Sequence, residues 1–160
     1  MQTVTVTRIV HATPETVWEL LADVTAVAQW HPQVATVDLL SNNAVGLGAT
    51  RRCNFHDGTS VREEVTSLEA GRRLRLTLSE FSLPMKSFEV EVTLTPTSRG
   101  QTQVSFEMFY EVKFGIFGRA MNALVVRGQM SKLLNRVLAG LDHHSVTGEL
   151  IGQDFVASAA

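Results

Sequence analysis

The sequence predicts an α+β fold in which one long C-terminal helix covers a seven-stranded, curved antiparallel sheet. From about residue 34 to residue 112, apolar and polar residues alternate with a period of two, as in half-buried strands. From about Gly115 to His144, the apolar residues recur at helical spacing instead. A helix-start pattern, Thr13-Pro14-Glu15-Thr16, separates a first strand from the long alternating stretch.

Length and composition indicate one ordinary globular domain. Of the 160 residues, 44% are hydrophobic and 19% are charged, so we expect a single domain over residues 1–145. The tail at 146–160 is expected to fray or to dock through Ile151 and Phe155. A net charge of −2 argues against a nucleic-acid partner. No apolar run approaches the ~18–20 residues of a membrane span, and no secretory signal is present, so we expect a cytoplasmic protein without stable membrane insertion. The single Cys53 excludes an internal disulfide.

The first elements are a strand and two short helices. Alternating valines and threonines predict a strand over roughly residues 3–12. Thr13 can cap a helix and Pro14 suits its first position. A second short helix is expected to end near Trp30, because His31 precedes a proline and therefore disfavours the helical conformation.

Six further strands follow in an antiparallel meander, since the turns between them are short. We expect them near residues 34–41, 47–55, 59–69, 74–78, 88–94 and 104–112. One helix about 10 Å wide cannot fill the concave face of such a sheet. The sequence therefore predicts a cavity between sheet and helix, the usual form of a small-ligand site.

The hairpin around His56-Asp57-Gly58 decides which charged residues point inward. A three-residue loop with a left-handed glycine pairs Arg51 with Glu63 and places the apolar residues of both strands on the same face. A two-residue turn would pair Arg52 with Glu63 and mix the faces. We therefore expect Arg51 and Glu63 to face inward as a cross-strand pair, which is either structural or binds a polar ligand group.

Tyr110 follows Phe106 and Met108 on the inward face of the last strand. A buried tyrosine hydroxyl needs a hydrogen-bond partner, which is either a core group or a ligand. The apolar stripes of the sheet and helix supply the other lining residues. The expected lining includes Phe88, Val90, Met108, Tyr110, Met121 and Leu124.

The order of elements and several short motifs resemble the START/Bet v 1-like (SRPBCC) superfamily. The motifs are residues 12–23 (ATPETVWELLAD), Trp30-His31-Pro32, Gly48-Ala49-Thr50-Arg51, Glu63, Leu83-Pro84 and Gly118-Arg119. The chain is most similar to the polyketide cyclase/dehydrase-like branch, over about residues 3–144. This resemblance implies a helix-grip fold around a hydrophobic cavity. Members include lipid carriers, hormone receptors and aromatic polyketide cyclases, so the fold alone does not decide the function.

The resemblance also places Trp30-His31-Pro32 at the cavity mouth. Trp30 then either packs in the core or touches a ligand, and His31 either has a polar role or is a solvated turn residue. We expect Trp30 and the loop after Leu83 to border the entrance, because prolines 32 and 84 fix the chain there.

Three functions are compatible with these features. A non-enzymatic binding or carrier protein would hold a small, mainly hydrophobic molecule such as a lipid, quinone or polyketide. A cyclase or dehydratase would need a base and an oxyanion donor. The candidate catalytic residues are Arg51, Glu63, Tyr110 and His31. An interaction module would need an exposed apolar patch. The sequence contains no metal or phosphate-binding motif, so we expect no metal and no cofactor; the oligomeric state is not indicated.

Overall fold

The computed structural model describes residues 1–113, 115 and 125–157. Its seven strands form a single antiparallel sheet in the order β1-β7-β6-β5-β4-β3-β2, so the first and last strands are neighbours. The strands are β1 (Gln2–Val10), β2 (Val34–Leu39), β3 (Thr50–Phe55), β4 (Ser60–Glu69), β5 (Arg73–Ser79), β6 (Met85–Pro96) and β7 (Thr102–Val112). The predicted seven-stranded α+β fold is confirmed.

Strand β3 begins three residues later than the alternation predicts. Gly46 and Gly48, just before it, have φ values of +101° and +80°. Such left-handed backbone suits glycine and interrupts an extended strand. The segment before Thr50 is therefore a loop.

The described helices lie before β2 and after β7. They are α1 (Pro14–Ala22), a 3₁₀ turn (Val24–Ala26), α2 (Val27–Trp30) and α3 (Arg127–Thr147). As predicted, Thr13 caps α1 by accepting a hydrogen bond from the backbone N–H of Thr16. Helix α3 ends at Gly148, which adopts the left-handed conformation and donates its N–H to the carbonyl of His144. Most of the segment before α3, where we expected the helix to begin, lies outside the described residues.

Helix α3 packs chiefly against β1, with smaller contacts to α1 and α2. Its buried apolar residues include Leu138 and Leu141, which are fully buried. The buried carboxylate of Asp142 on the same helix accepts hydrogen bonds from the Nε of Arg8 and from the backbone N–H of His11. The helix is thus fixed over the β1 side of the sheet rather than over its centre.

Of the two alternatives expected for the tail, its described part follows docking rather than fraying. Ile151 is buried and donates its backbone N–H to the carbonyl of Gln29. The guanidinium of Arg136 donates hydrogen bonds to the carbonyls of Gln153 and Phe155. These contacts hold the chain against α2 and α3, because each satisfies a backbone group that would otherwise need water. No helix among the described residues is long and apolar enough to cross a membrane.

Candidate functional site

A cavity of about 620 Å³ lies between the inner face of the sheet and the helices. Helix α3 makes its closest contacts with β1, whereas the inner faces of the middle strands are separated from it by the cavity. Strand β1 contributes none of the described lining residues. The apolar wall comprises Val61, Leu74, Leu76, Leu78, Phe88, Val90, Val92, Phe106, Met108, Leu134 and Val137.

The cavity reaches solvent at one end. Its exposed lining residues come from the β3–β4 turn, the β5–β6 loop and the C-terminal segment, and include Asp57, Leu83 and Gln153. The expectation that the loop at Leu83 borders the entrance therefore agrees with its position. Loops around a rigid scaffold are the parts best able to move when a ligand enters.

The predicted hairpin register is confirmed. Arg51 pairs with Glu63 across β3 and β4. Gly58 has a φ of +87° and donates its N–H to the carbonyl of Phe55, which closes the three-residue loop. Both Arg51 and Glu63 line the cavity, whereas Arg52 points to the other face and pairs with Glu80.

The Arg51–Glu63 ion pair is closely bonded. The Nε of Arg51 donates to Oε2 of Glu63 at 2.6 Å, and Nη2 approaches the same oxygen at 2.5 Å. Nη1 donates to the carbonyl of Val24 at 3.0 Å. Burial lowers the pKa of Arg51, but the charge of Glu63 outweighs it and raises the pKa above its ordinary value. Every nitrogen of this guanidinium therefore has a protein partner.

Cys53 lies beside this pair, with its Sγ 3.5 Å from Oε2 of Glu63. Burial, and then the negative charge of Glu63, raises the pKa of the Cys53 thiol far above its ordinary value. A thiol that stays protonated is a poor nucleophile. The structure therefore agrees with Cys53 as a small buried side chain.

His31 is half-buried in the cavity wall between two aromatic rings. Its ring centroid lies 6.0 Å from that of Trp30 and 6.4 Å from that of Phe55. Its Nδ1 accepts a hydrogen bond from the backbone N–H of Gln33 at 3.2 Å. Burial, and then the positive charge of Arg51, lowers the pKa of His31 to about 3, so the ring is neutral at physiological pH.

Trp30 also lines the cavity, but it belongs to the wall rather than to the rim. It is only 4% exposed, and its indole Nε1 donates to the carbonyl of Leu20 at 3.3 Å. The expectation that Trp30 borders the entrance therefore needs correction.

Tyr110 is a second correction, because it does not line the main cavity. It lies two residues beyond Met108 along β7, which is about 7 Å farther along the strand. Its hydroxyl is buried beside a separate pocket with Gln2 and Lys86, and no described residue hydrogen-bonds to it. Burial raises the pKa of Tyr110. The inward face was predicted correctly, but the cavity does not extend to this end of the strand.

The other predicted lining residues divide into two groups. Phe88, Val90 and Met108 line the cavity. Met121 and Leu124 lie outside the described residues. Sequence reasoning missed Arg136 and Gln153, which line the rim from α3 and the tail. Their positions depend on how the tail folds back, which no local pattern signals.

No group of three or more histidine, cysteine or acidic side chains among residues 1–113, 115 and 125–157 is arranged to hold a metal ion. The polar residues of the inner wall include the Arg51–Glu63 pair and the neutral His31, and Asp57, Arg136 and Gln153 are among those at the rim. An apolar cavity with a few polar groups can bind an apolar molecule and orient one polar atom of it.

Solved structures share this fold. The ginseng major latex-like protein 151 from Panax ginseng superposes with a TM-score of 0.75 at 15% identity, covering 91% of this chain and 97% of that chain. The protein TTHA0849 from Thermus thermophilus gives a TM-score of 0.71 at 22% identity, covering 92% of this chain and 99% of that chain. DynU16, from the dynemicin biosynthetic locus, gives 0.71 at 23% identity, covering 94% of this chain and 49% of that chain.

Because these sequence identities are low, the structures show a shared fold alone. No curated protein sequence matches this chain. The sequence profile described as "Polyketide cyclase / dehydrase and lipid transport" matches residues 1–145, which is most of the chain. That match shows that the chain belongs to the polyketide cyclase/dehydrase and lipid transport family.

Proposed function

We propose that this protein binds and carries a small, mainly hydrophobic molecule in the cavity between the sheet and α3. The observation that carries the proposal is the cavity itself, whose volume is about 620 Å³ and whose wall is mostly buried aliphatic and aromatic side chains. Transfer of apolar surface from water into such a wall is favourable by about 25 cal/mol per Å². The lipid-transport members named in the family description support a carrier role.

The ionisable groups in the cavity favour binding over catalysis. Glu63 is bonded to Arg51, and the Cys53 thiol stays protonated because its pKa is raised. A histidine with a pKa of about 3 is a weak base at neutral pH. A hydrolase or cyclase that needs a general base would have to draw on a group outside this set.

A cyclase or dehydratase on an aromatic, polyketide-like substrate is the second candidate. The family description and the fold shared with DynU16 support it. It predicts that a molecule extracted from the protein is converted on incubation, whereas a carrier returns the same molecule. Mass spectrometry before and after incubation distinguishes the two.

The binding proposal is tested by titrating the protein with the neutral hydrophobic dye Nile red. A tryptophan introduced at Val90, a half-buried wall residue of β6, should fill part of the cavity and weaken binding at least tenfold. Thr93→Trp on the outward face of the same strand is the matched control and should leave the dye affinity unchanged. Mass spectrometry of molecules extracted from purified protein should identify a hydrophobic compound.

Two results would overturn the proposal. One is an absence of saturable dye binding to the unaltered protein together with an empty extract. The other is equal dye affinity in Val90→Trp and Thr93→Trp, because binding would then take place outside the cavity.

A further inference from the structure

The side chain of His31 carries a hydrogen-bond donor that no described residue uses. Since Gln33 donates its backbone N–H to Nδ1, the neutral ring carries its own proton on Nε2. Among the described residues, Ser87 Oγ and Tyr110 Oη are the side-chain nitrogen or oxygen atoms that are buried and have no hydrogen-bond partner. His31 Nε2 is not one of them, so this atom is accessible from outside the protein matrix. The ring is part of the cavity lining, where a bound molecule can offer an acceptor to this donor.

The ring is fixed in orientation as well as in tautomer. Trp30 and Phe55 flank it, the backbone of Gln33 holds Nδ1, and the following Pro32 is fully buried. A donor held in this way loses little conformational entropy when it binds an acceptor. It is thus preorganised to select a ligand with an acceptor atom at one place.

The two guanidinium groups that line the cavity, unlike Nε2–H, are already bonded to protein groups. Each guanidinium nitrogen of Arg51 already bonds to Glu63 or Val24. Arg136, at the rim, holds the carbonyls of Gln153 and Phe155 through Nε and Nη2. An anionic ligand deep in the cavity would have to compete with Glu63 for the charge of Arg51, so the cost of desolvating it would be poorly offset.

We propose that His31 is the specificity-determining donor of the cavity and selects an uncharged, mainly apolar molecule whose carbonyl oxygen accepts a hydrogen bond from Nε2–H. The inference rests on the proposed function, because it concerns the same cavity. It narrows the ligand from hydrophobic molecules in general to neutral ketones and quinones, which share this acceptor.

The test uses three naphthalenes of nearly equal size: 2-acetylnaphthalene, 2-ethylnaphthalene and 2-naphthoate. Their affinities are measured by displacement of Nile red, with the dye affinity determined separately for each variant. The unaltered protein should bind the ketone about 5–10-fold more tightly than the hydrocarbon, as one net hydrogen bond allows. It should bind the carboxylate at least tenfold more weakly than the ketone.

Two substitutions at the same position provide the control. His31→Phe keeps an aromatic ring but no donor, so its ratio of ketone affinity to hydrocarbon affinity should fall to about one. His31→Gln keeps an amide donor and should retain part of the preference. In unaltered protein, the ¹⁵N spectrum should show an Nε2–H tautomer from pH 7 to pH 5, with its proton shifted downfield by the ketone. This measurement uses the unaltered protein, so it does not require any variant to fold.

The outcomes separate this inference from the proposed function. If both neutral naphthalenes bind with equal affinity to the unaltered protein, His31 is not a selecting donor and only the inference is overturned. Tightest binding of 2-naphthoate, lost in Arg136→Met, would also overturn it in favour of an anionic ligand held at the rim. If neither naphthalene nor Nile red binds, the proposed function fails and the inference fails with it.

Discussion

The two halves of this sheet carry the same alternating pattern but have different interiors. On the side formed by β1 and α3, the side chains of Val10, Leu138 and Leu141 are fully buried against one another. On the side formed by β3 to β6, residues such as Leu76 and Phe88 face a cavity. Alternation thus marks which face is apolar, but the position of the covering helix decides whether that face is packed or open.

The two sides also place their buried charges differently. On the packed side, Asp142 joins α3 to β1 through Arg8 and His11. On the cavity side, Arg51 and Glu63 join two neighbouring strands. The cluster at Asp142 fixes the helix over β1. The Arg51–Glu63 pair adds a polar group to the wall of the cavity.

The largest expected effect is on the cavity side, at the buried ion pair. Glu63→Gln should lower the free energy of unfolding by about 3–5 kcal/mol, because it leaves the charge of Arg51 buried without its partner. Glu64→Gln, one residue away on the outward face, loses a half-exposed pair with Arg62 and should cost less than about 1 kcal/mol. Urea denaturation of both variants measures the difference.

Equal costs for the two glutamate variants would show that the Arg51 charge is solvated from the cavity. In that case the cavity side would be wetter than its apolar wall indicates. The comparison between the packed side and the cavity side would then need to be revised.

A pair of leucine truncations compares packing directly. Leu138→Ala should destabilise the protein by about 3–5 kcal/mol, because a fully buried side chain leaves a new hole. Leu76→Ala should cost about half as much, since one side of Leu76 already faces a cavity and has fewer neighbours to lose. Equal costs in thermal and urea unfolding would contradict the distinction between the two sides.

Sequence reasoning succeeded where the deciding interactions were local. The register of Arg51 with Glu63 followed from a three-residue turn and the apolar pattern of its two strands. It failed for Tyr110, whose inward direction is local but whose access to the cavity depends on what covers the end of β7. It also missed Asp142, because its partners lie at the opposite end of the chain and no spacing rule connects them.

The smallest expected effect is at Asp142 on the packed side. Burial raises the pKa of its carboxyl, but the hydrogen bonds from His11 and Arg8 outweigh burial and hold the pKa below its ordinary value. Asp142→Asn keeps one acceptor oxygen and loses the charge, so it should cost about 1–3 kcal/mol at pH 7. Asp154→Asn, in the exposed tail, is the control and should have no measurable effect.

The pH dependence of this cost has a definite sign. A carboxyl whose folded pKa is depressed stabilises the protein fully above its unfolded pKa of about 3.9, and this contribution is lost as the pH falls through the folded value. The stability difference between the unaltered protein and Asp142→Asn should therefore shrink as the pH falls below about pH 4. Urea denaturation across that range measures it. A difference that stays constant to the lowest pH would mean that Asp142 acts through shape alone, and that the packed side depends on close packing without help from a buried charge.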